Sequence, residues 1–233
     1  MNVLGKVLRL RPYSVALDER MTARHYRSLD FAVQNGVRGR VLDVGTGIGW
    51  FPHIARGETA MTLSGVEPDA TSLAVARETV PDADLRLASA LELPFPDDSF
   101  DAITFFEVIE HLPRDTEARA FAEFRRVLKP KGTLVLSTPY ADLRAKLTDP
   151  AWYVGHRHYS RRRLEALLRS SGFHVEKSCV YGGTCEIAST FLLYFFKWVF
   201  RAETPFKGWL EDRRSREYSE SYAGFTNIFV AAR

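Results

Sequence analysis

The run Val41-Leu42-Asp43-Val44-Gly45-Thr46-Gly47-Ile48-Gly49-Trp50-Phe51 constrains the fold more than any other stretch of the chain. It reads as a buried strand emptying into a glycine-rich turn and then a helix. Glycines at alternate positions let the backbone turn sharply and approach a ligand in conformations that a Cβ disfavours, and the following helix offers unpaired N–H groups. Such a turn suits a nucleotide-like ligand. Asp43 narrows the choice, because a carboxylate at the strand's last turn repels a pyrophosphate and welcomes a cation. This separates the run from a dinucleotide fingerprint of the G-x-G-x-x-G kind.

From Arg40 onward strand and helix patterns alternate: strand over 40–44, helix 48–57, strand 61–67, helix 70–79, strands 84–88 and 101–106, helix 115–128, strand 132–138. That rhythm predicts an α/β fold built on a doubly wound, mainly parallel sheet with helices on both faces. Leu128-Lys129-Pro130-Lys131-Gly132 reads as the turn between the last helix and strand of this series. Ser160 can cap a helix that runs to Ser171 and ends at Gly172, while Phe173 to Val180 and Thr226 to Ala231 read as strands. Before the first strand, Met21, Tyr26, Leu29, Phe31 and Ala32 sit at loosely helical spacing, which predicts one or two helices placed to cap an active site. The 233 residues therefore read as one domain with four parts. These are an N-terminal helical cap (1–37), a ligand-binding core (38–180), an apolar and basic insertion (181–223) and a last strand (224–233).

D-V-G-T-G-I-G, followed by Gly65-Val66-Glu67-Pro68-Asp69, resembles the first two motifs of the class I S-adenosylmethionine-dependent methyltransferases. The sulfonium and ammonium groups of that cofactor are cationic, which suits an acidic glycine turn better than NAD does. The resemblance covers roughly residues 38 to 180. It implies a seven-stranded sheet of order 3-2-1-4-5-7-6 with an antiparallel last strand, and S-adenosylmethionine as cofactor. It further implies that Asp43, Gly45, Thr46, Gly47 and Gly49 form the cofactor turn, and that Glu67, next to Pro68, accepts the ribose hydroxyls. Ala88-Ser89-Ala90-Leu91 falls at the family's third motif, but Ser89 stands where an aspartate is usual. A serine hydroxyl or the backbone at Ala90 can still take the adenine contact, with Leu91 against the ring face. Phe106 and Glu107 complete the cofactor edge at the end of the fourth strand.

Phe105-Phe106-Glu107-Val108-Ile109-Glu110-His111 leaves that strand on the side facing the transferred methyl group. If the segment turns helical, Glu107, Glu110 and His111 fall at i, i+3 and i+4 on one side. Two carboxylates and an imidazole there suit Mg²⁺ or Mn²⁺. E-x-x-E-H resembles the metal site of ubiquinone-pathway O-methyltransferases and of small-RNA 2′-O-methyltransferases, in which a later histidine, here His156 in Gly155-His156-Arg157-His158, completes the set. Many metal-free relatives carry a similar acid–histidine pair as a hinge. Without a metal, His111, beside Glu110, or His158 is the candidate general base. Tyr140, after Ser137-Thr138-Pro139, faces the same cleft.

The formal charge of +3 is too weak a bias to imply nucleic acid. Two cysteines, Cys179 and Cys185, fit no metal motif and suit a reducing cytoplasm. The stretch with Lys6, Arg9 and Arg11 lacks the apolar run of a signal peptide. Glu186 to Phe200 is strongly apolar and aromatic, with Ile187, Phe191, Leu192, Phe195, Phe196, Trp198, Val199 and Phe200 around a single Lys197. It is too short to span a bilayer, which takes about 20 residues. A buried or dimer-forming helix, the wall of an apolar acceptor pocket, and a peripheral membrane contact beside Arg201 and Lys207 all suit it. The sequence thus predicts methylation, preferably at oxygen, of a small apolar or lipid-linked acceptor, with an RNA end or a sugar as other acceptors. Its rivals are a nicotinamide-dependent oxidoreductase and a non-catalytic S-adenosylmethionine-binding partner subunit.

Overall fold

The computed structural model describes residues 21–149, 151–196, 199, 201, 207–219 and 224–233. The expectations placed on Lys6, Arg9, Arg11, Lys197, Trp198 and Phe200 lie outside the described residues. Seven strands form one sheet: β1 (Gly39–Val44), β2 (Met61–Glu67), β3 (Asp84–Leu87), β4 (Phe100–Phe106), β5 (Leu128–Pro139), β6 (Val175–Tyr181) and β7 (Asn227–Ala232). Their order is β3-β2-β1-β4-β5-β7-β6, with β1 to β5 paired in parallel and β7 antiparallel to both neighbours. The order and the reversed last strand are those that the family resemblance implies.

The helices are α1 (Ala23–Gln34), α2 (Trp50–Ala55), α3 (Ala70–Thr79), α4 (Glu117–Val127), α5 (Leu143–Thr148), α6 (Arg161–Ser170), α7 (Thr184–Phe195) and α8 (Lys207–Ser219). Side chains alternate across a strand, so each central strand serves two cores. Leu42, Val44, Ile103, Phe105, Leu134 and Leu136 meet Phe121 and Phe124 of α4 and Leu164 and Leu168 of α6. Val41, Ala102, Phe106, Val135 and Phe229 meet Phe31 of α1 and Phe51 of α2 on the other face. Coverage on both faces explains why these strands read as nearly continuous apolar runs.

Three local expectations are corrected. The helix after the glycine turn begins at Trp50 because Gly49 is left-handed, with φ 85°. Pairing of β5 with β4 starts at Leu128 and resumes at Thr133, so the Lys129–Gly132 turn is a bulge within the strand, with Lys131 at φ 65°. After β4 the chain does not turn α-helical at once: Glu107 is left-handed (φ 56°), and only a single 3₁₀ turn, Ile109–His111, follows.

The insertion is tied to the sheet's end by polar contacts. The Glu217 carboxylate of α8 accepts from the N–H groups of Gly183, Cys185 and Glu186 at 2.9, 2.8 and 3.0 Å, satisfying the open N-terminus of α7. Glu211 of α8 accepts from the Ala23 N–H at 2.7 Å, which holds the start of α1. Among the described residues no helix is long and apolar enough to cross a membrane.

Phe124 is fully buried with its ring 4.9 Å from Phe105 and 5.9 Å from Phe121. Phe124→Ala is expected to cost about 3–5 kcal/mol in chemical denaturation. The exposed Leu87→Ala on edge strand β3 is expected to stay within about 0.5 kcal/mol of the parent.

Candidate active site

Parallel pairing carries the C-terminal ends of β1 to β5 to one edge of the sheet, where open α/β sheets bind ligands. The glycine turn after β1 lies there. Gly45 has φ 77°, and a Cβ on it would meet Val108 Cγ2 at 2.5 Å, so packing as well as conformation demands glycine. Gly47, at φ 56°, is different: a Cβ there would meet nothing within 4 Å. Glu67, at the end of β2, bends over this space. One of its oxygens accepts from the Gly47 N–H and the other from the Asp69 N–H, both at 2.9 Å, which fixes the carboxylate and leaves lone pairs for further donors.

Asp43 is buried beneath the turn, and its Oδ1 accepts from the Thr104 hydroxyl at 2.8 Å across the β1–β4 pair. Its Oδ2 is buried without a hydrogen-bond partner. Burial pushes the carboxyl up to about 6, against the lowering effect of the Thr104 bond. Thr46 and Ala90 are buried, Ser89 and Leu91 are half-buried at the same edge, and Pro68 is exposed. The Ser89 hydroxyl accepts from the Leu91 N–H at 3.2 Å. Phe106 is buried beside the rings of Trp50 and Phe51, at 5.9 and 5.3 Å, as a wall under the glycine turn. An open glycine cradle, a fixed carboxylate facing it and a buried acid with one free oxygen beneath it fit a cationic adenosyl ligand.

At the end of β4 the acids and imidazoles divide into two sets. Glu107 turns away from Glu110 and His111: its oxygens accept from Ser137 Oγ (2.6 Å), Arg24 Nη1 (3.1 Å) and Asn227 Nδ2 (3.0 Å). The left-handed residue breaks the i, i+3, i+4 alignment expected from sequence, so Glu107 does not join the others. Glu110, His111 and His156 do come together, each offering one ligand atom within 4.8 Å of the rest. Glu110 is buried, with Oε2 accepting from Thr138 Oγ1 at 2.9 Å and Oε1, which makes no hydrogen bond, 3.9 Å from His156 Nε2. Burial first, and then the charge of Glu107, raises its carboxyl well above the usual range. His111 Nε2 lies 3.3 Å from His156 Nε2. Partial desolvation on its inner side and the neighbouring His156 lower the imidazole of this otherwise exposed residue below its ordinary value, which favours the neutral ring.

His158 is a correction to the sequence reading. Its side chain is only 2% exposed, Nδ1 lies 3.0 Å from the Tyr140 carbonyl and Nε2 lies 2.9 Å from Asp149 Oδ2. Neither nitrogen is left for a substrate. Tyr140 itself is half-buried at the cleft end of β5.

Sequence reasoning missed the residues that hold this turn. Arg157 donates to the carbonyls of Ile109 (2.7 Å), Glu110 (3.3 Å) and Leu112 (2.6 Å), and to Glu117 Oε1 (2.6 Å). The Tyr159 hydroxyl donates to the same Glu117 oxygen at 2.8 Å. The signal was present in the alternation of His156-Arg157-His158-Tyr159. In extended chain the two histidines go to one side and Arg157 to the other. Asp149, which receives both histidines, carried no signal.

The sheet order and the glycine turn at its edge define a Rossmann-like α/β fold. Residues 42–136 match the family model described as a methyltransferase domain, and this segment is similar to S-adenosylmethionine-dependent methyltransferases. A probable S-adenosylmethionine-dependent methyltransferase of Mycolicibacterium smegmatis is 34% identical over 137 residues, covering 58% of this chain and 52% of that protein. Methyltransferase GfsG of Streptomyces halstedii is 37% identical over 126 residues, covering 51% and 43%. The match thus spans about half the length of these curated relatives. A solved protein of Pyrococcus horikoshii shares the fold at a TM-score of 0.66 and 17% identity, covering 98% of both chains. The cyclase SpnF does so at 0.63 and 19%, covering 90% of this chain and 80% of its own.

Asp43 generates a pH prediction. A carboxyl raised on folding contributes stability that is fully present below the unfolded value of about 4 and lost as pH rises through about 6. Asp43→Asn should therefore raise the ligand-free melting temperature at pH 8, by up to about 3 kcal/mol of stability. The gain should disappear at pH 4 in scanning calorimetry. An equal effect at both pH values contradicts the buried-acid assignment.

Proposed function

We propose that the chain transfers the methyl group of S-adenosylmethionine to a hydroxyl of a small, apolar or lipid-linked acceptor, with His111 taking the hydroxyl proton. The observation that carries the reading is the meeting of two features at one sheet edge: the open Gly47–Glu67 cradle and the neutral, exposed His111 imidazole beyond β4. Bound there, the cofactor would supply an electrophilic methyl on a sulfonium centre. Gly45, Gly47 and Gly49 shape the turn, and Glu67 would hold the ribose hydroxyls. Ser89, Ala90 and Leu91 would meet the adenine, and Asp43 sets a negative potential beneath the cationic part. That buried acid argues against the nicotinamide reading, since a diphosphate would face it. Glu110, driven towards its neutral form, leaves the proton to the imidazole.

Mg²⁺ fits this cluster poorly. It prefers oxygen ligands in octahedral array, and Glu107, the second carboxylate of the expected set, is committed to Arg24, Ser137 and Asn227. What remains is two imidazoles and one acid whose ionised form burial disfavours.

The acceptor class is supported by the rim beside the site. Leu143 and Leu147 of α5 are 71% and 55% exposed, and Phe191 and Phe195 of the adjoining α7 are 59% and 49% exposed. Helix α5 leads directly into Asp149. An apolar acceptor presented from a lipid surface would reach His111 along this rim, in a cytoplasmic protein that touches membranes only peripherally. The same rim would serve a homodimer.

His111→Ala is expected to lower kcat by about 10²–10⁴-fold on a hydroxyl acceptor while S-adenosylhomocysteine binding is kept. Dialysis against chelator is expected to leave the rate unchanged. Retained kcat in the variant would remove His111 from proton transfer, and a rate restored only by added Mg²⁺ would reinstate the metal.

A further inference from the structure

We infer that Asp149 is a positioning residue that acts through His156 to fix the proton of His111 on Nε2, leaving Nδ1 as the atom that accepts. This rests on the proposal that His111 takes the acceptor's proton.

Asp149 is held from several sides. Its N–H bonds the Ala145 carbonyl at 3.0 Å, at the end of α5, and its Oδ1 accepts from the Ala151 N–H at 2.9 Å. The His156 N–H in turn bonds the Ala151 carbonyl at 3.0 Å, so acid and imidazole share one short frame. Asp149 Oδ2 lies 3.1 Å from His156 Nδ1 and 2.9 Å from His158 Nε2. Burial opposes its charge, but the bonds from the two histidines and from Ala151 outweigh burial and hold the carboxyl well below the usual range. An ionised carboxylate only accepts, so Nδ1 of His156 carries a hydrogen.

Once the His156 ring has given up its second proton, as under the conditions of the spectra below, Nε2 is a lone pair, with Glu110 Oε1 a further 3.9 Å away. That lone pair faces His111 Nε2 at 3.3 Å. Two facing lone pairs repel, so the hydrogen between the rings belongs to His111 Nε2. A neutral His111 has one N–H only, and with that on Nε2 its Nδ1 keeps the lone pair. Among the described residues no hydrogen bond occupies Nδ1, and His111 is an exposed residue. When the acceptor's O–H bond breaks, the new N–H bond forms at Nδ1 and the electron pair stays on the acceptor oxygen. The His111 cation so formed points its Nε2–H at the His156 lone pair, and through that ring at the Asp149 carboxylate. The geometry therefore places a fixed negative charge two rings behind the atom that becomes positive.

A merely structural Asp149 would staple residues 149–158 to α5 and do nothing to the His111 tautomer. Long-range ¹⁵N–¹H spectra of the full chain separate these cases, with the His111 ring assigned by its loss in His111→Gln. The wild type above the ring's titration is expected to show the Nε2–H form. Asp149→Asn, which can present an N–H to His156 Nδ1, is expected to shift His111 towards the Nδ1–H form. It should also lower kcat at least about tenfold, with KM for S-adenosylmethionine little changed. Asp149→Glu should restore the wild-type tautomer in part. An Nδ1–H form in the wild type, or a tautomer unchanged in a folded Asp149→Asn, overturns the inference. If the tautomer responds as described while His111→Gln keeps full activity, the positioning link stands and the assignment of His111 as proton acceptor falls.

Discussion

The Glu107 carboxylate at the end of β4 is the contact on which this edge of the molecule depends. It gathers Arg24 from α1, Ser137 from β5 and Asn227 from β7, groups that lie up to 120 residues away in sequence. Charge-assisted bonds of this kind contribute about 1.5–3 kcal/mol each, enough to hold Glu107 in its left-handed conformation (φ 56°). That conformation sends the chain sideways. Val108 then lands against Gly45, closing the glycine turn from below, and the following 3₁₀ turn presents Glu110 and His111. The cap helix, the reversed last strand and the cofactor turn are thereby set by one side chain. Arg24 is raised further above its ordinary value because Glu107, Tyr218, Glu186 and Glu110 together outweigh the burial of the guanidinium.

A second anchor works from the opposite side. Arg157 satisfies three carbonyls of the 109–112 turn and ends on Glu117, whose oxygen also receives Tyr159. Buried charge is stable only when paired and hydrogen-bonded. Here the pairing fixes the turn that carries His111. Between the Glu107 and Arg157 anchors the backbone that carries the imidazole is held at both ends. That is what proximity and orientation require of a group that must meet a hydroxyl at bonding distance.

Most of the sheet was legible in the sequence because burial on both faces leaves a strong local mark. Val41 to Val44 and Phe100 to Phe106 could hardly be anything else once Gly45, Gly47 and Gly49 follow the first of them. The candidate cofactor edge carries a similar local mark, since Asp43 and Glu67 each sit near the end of such a strand. Local pattern failed where long-range contacts decide. Glu107 looked like one face of a helix with Glu110 and His111, but partners on α1, β5 and β7 turn it away. His158 looked like a base, and only the fold brings Asp149 and the Tyr140 carbonyl to its two nitrogens. Arg157 was marked only by the alternation around it, because its partners lie 40 to 48 residues away, while Asp149 meets His156 and His158 seven and nine residues on, at a spacing that matches no motif. The low identity to the solved structures of the same fold, with a cyclase among them, means that chemistry on this scaffold is set by such side chains and not by the sheet.

The central claim is that the Gly47–Glu67 cradle holds an adenosyl cofactor, and titration calorimetry with S-adenosylhomocysteine tests it most directly. The chain is expected to bind one equivalent, and Glu67→Ala, with the fold intact by circular dichroism, is expected to weaken the affinity at least about tenfold, or about 1.4 kcal/mol. No binding by the folded wild type, or equal affinity in the variant, would contradict the account.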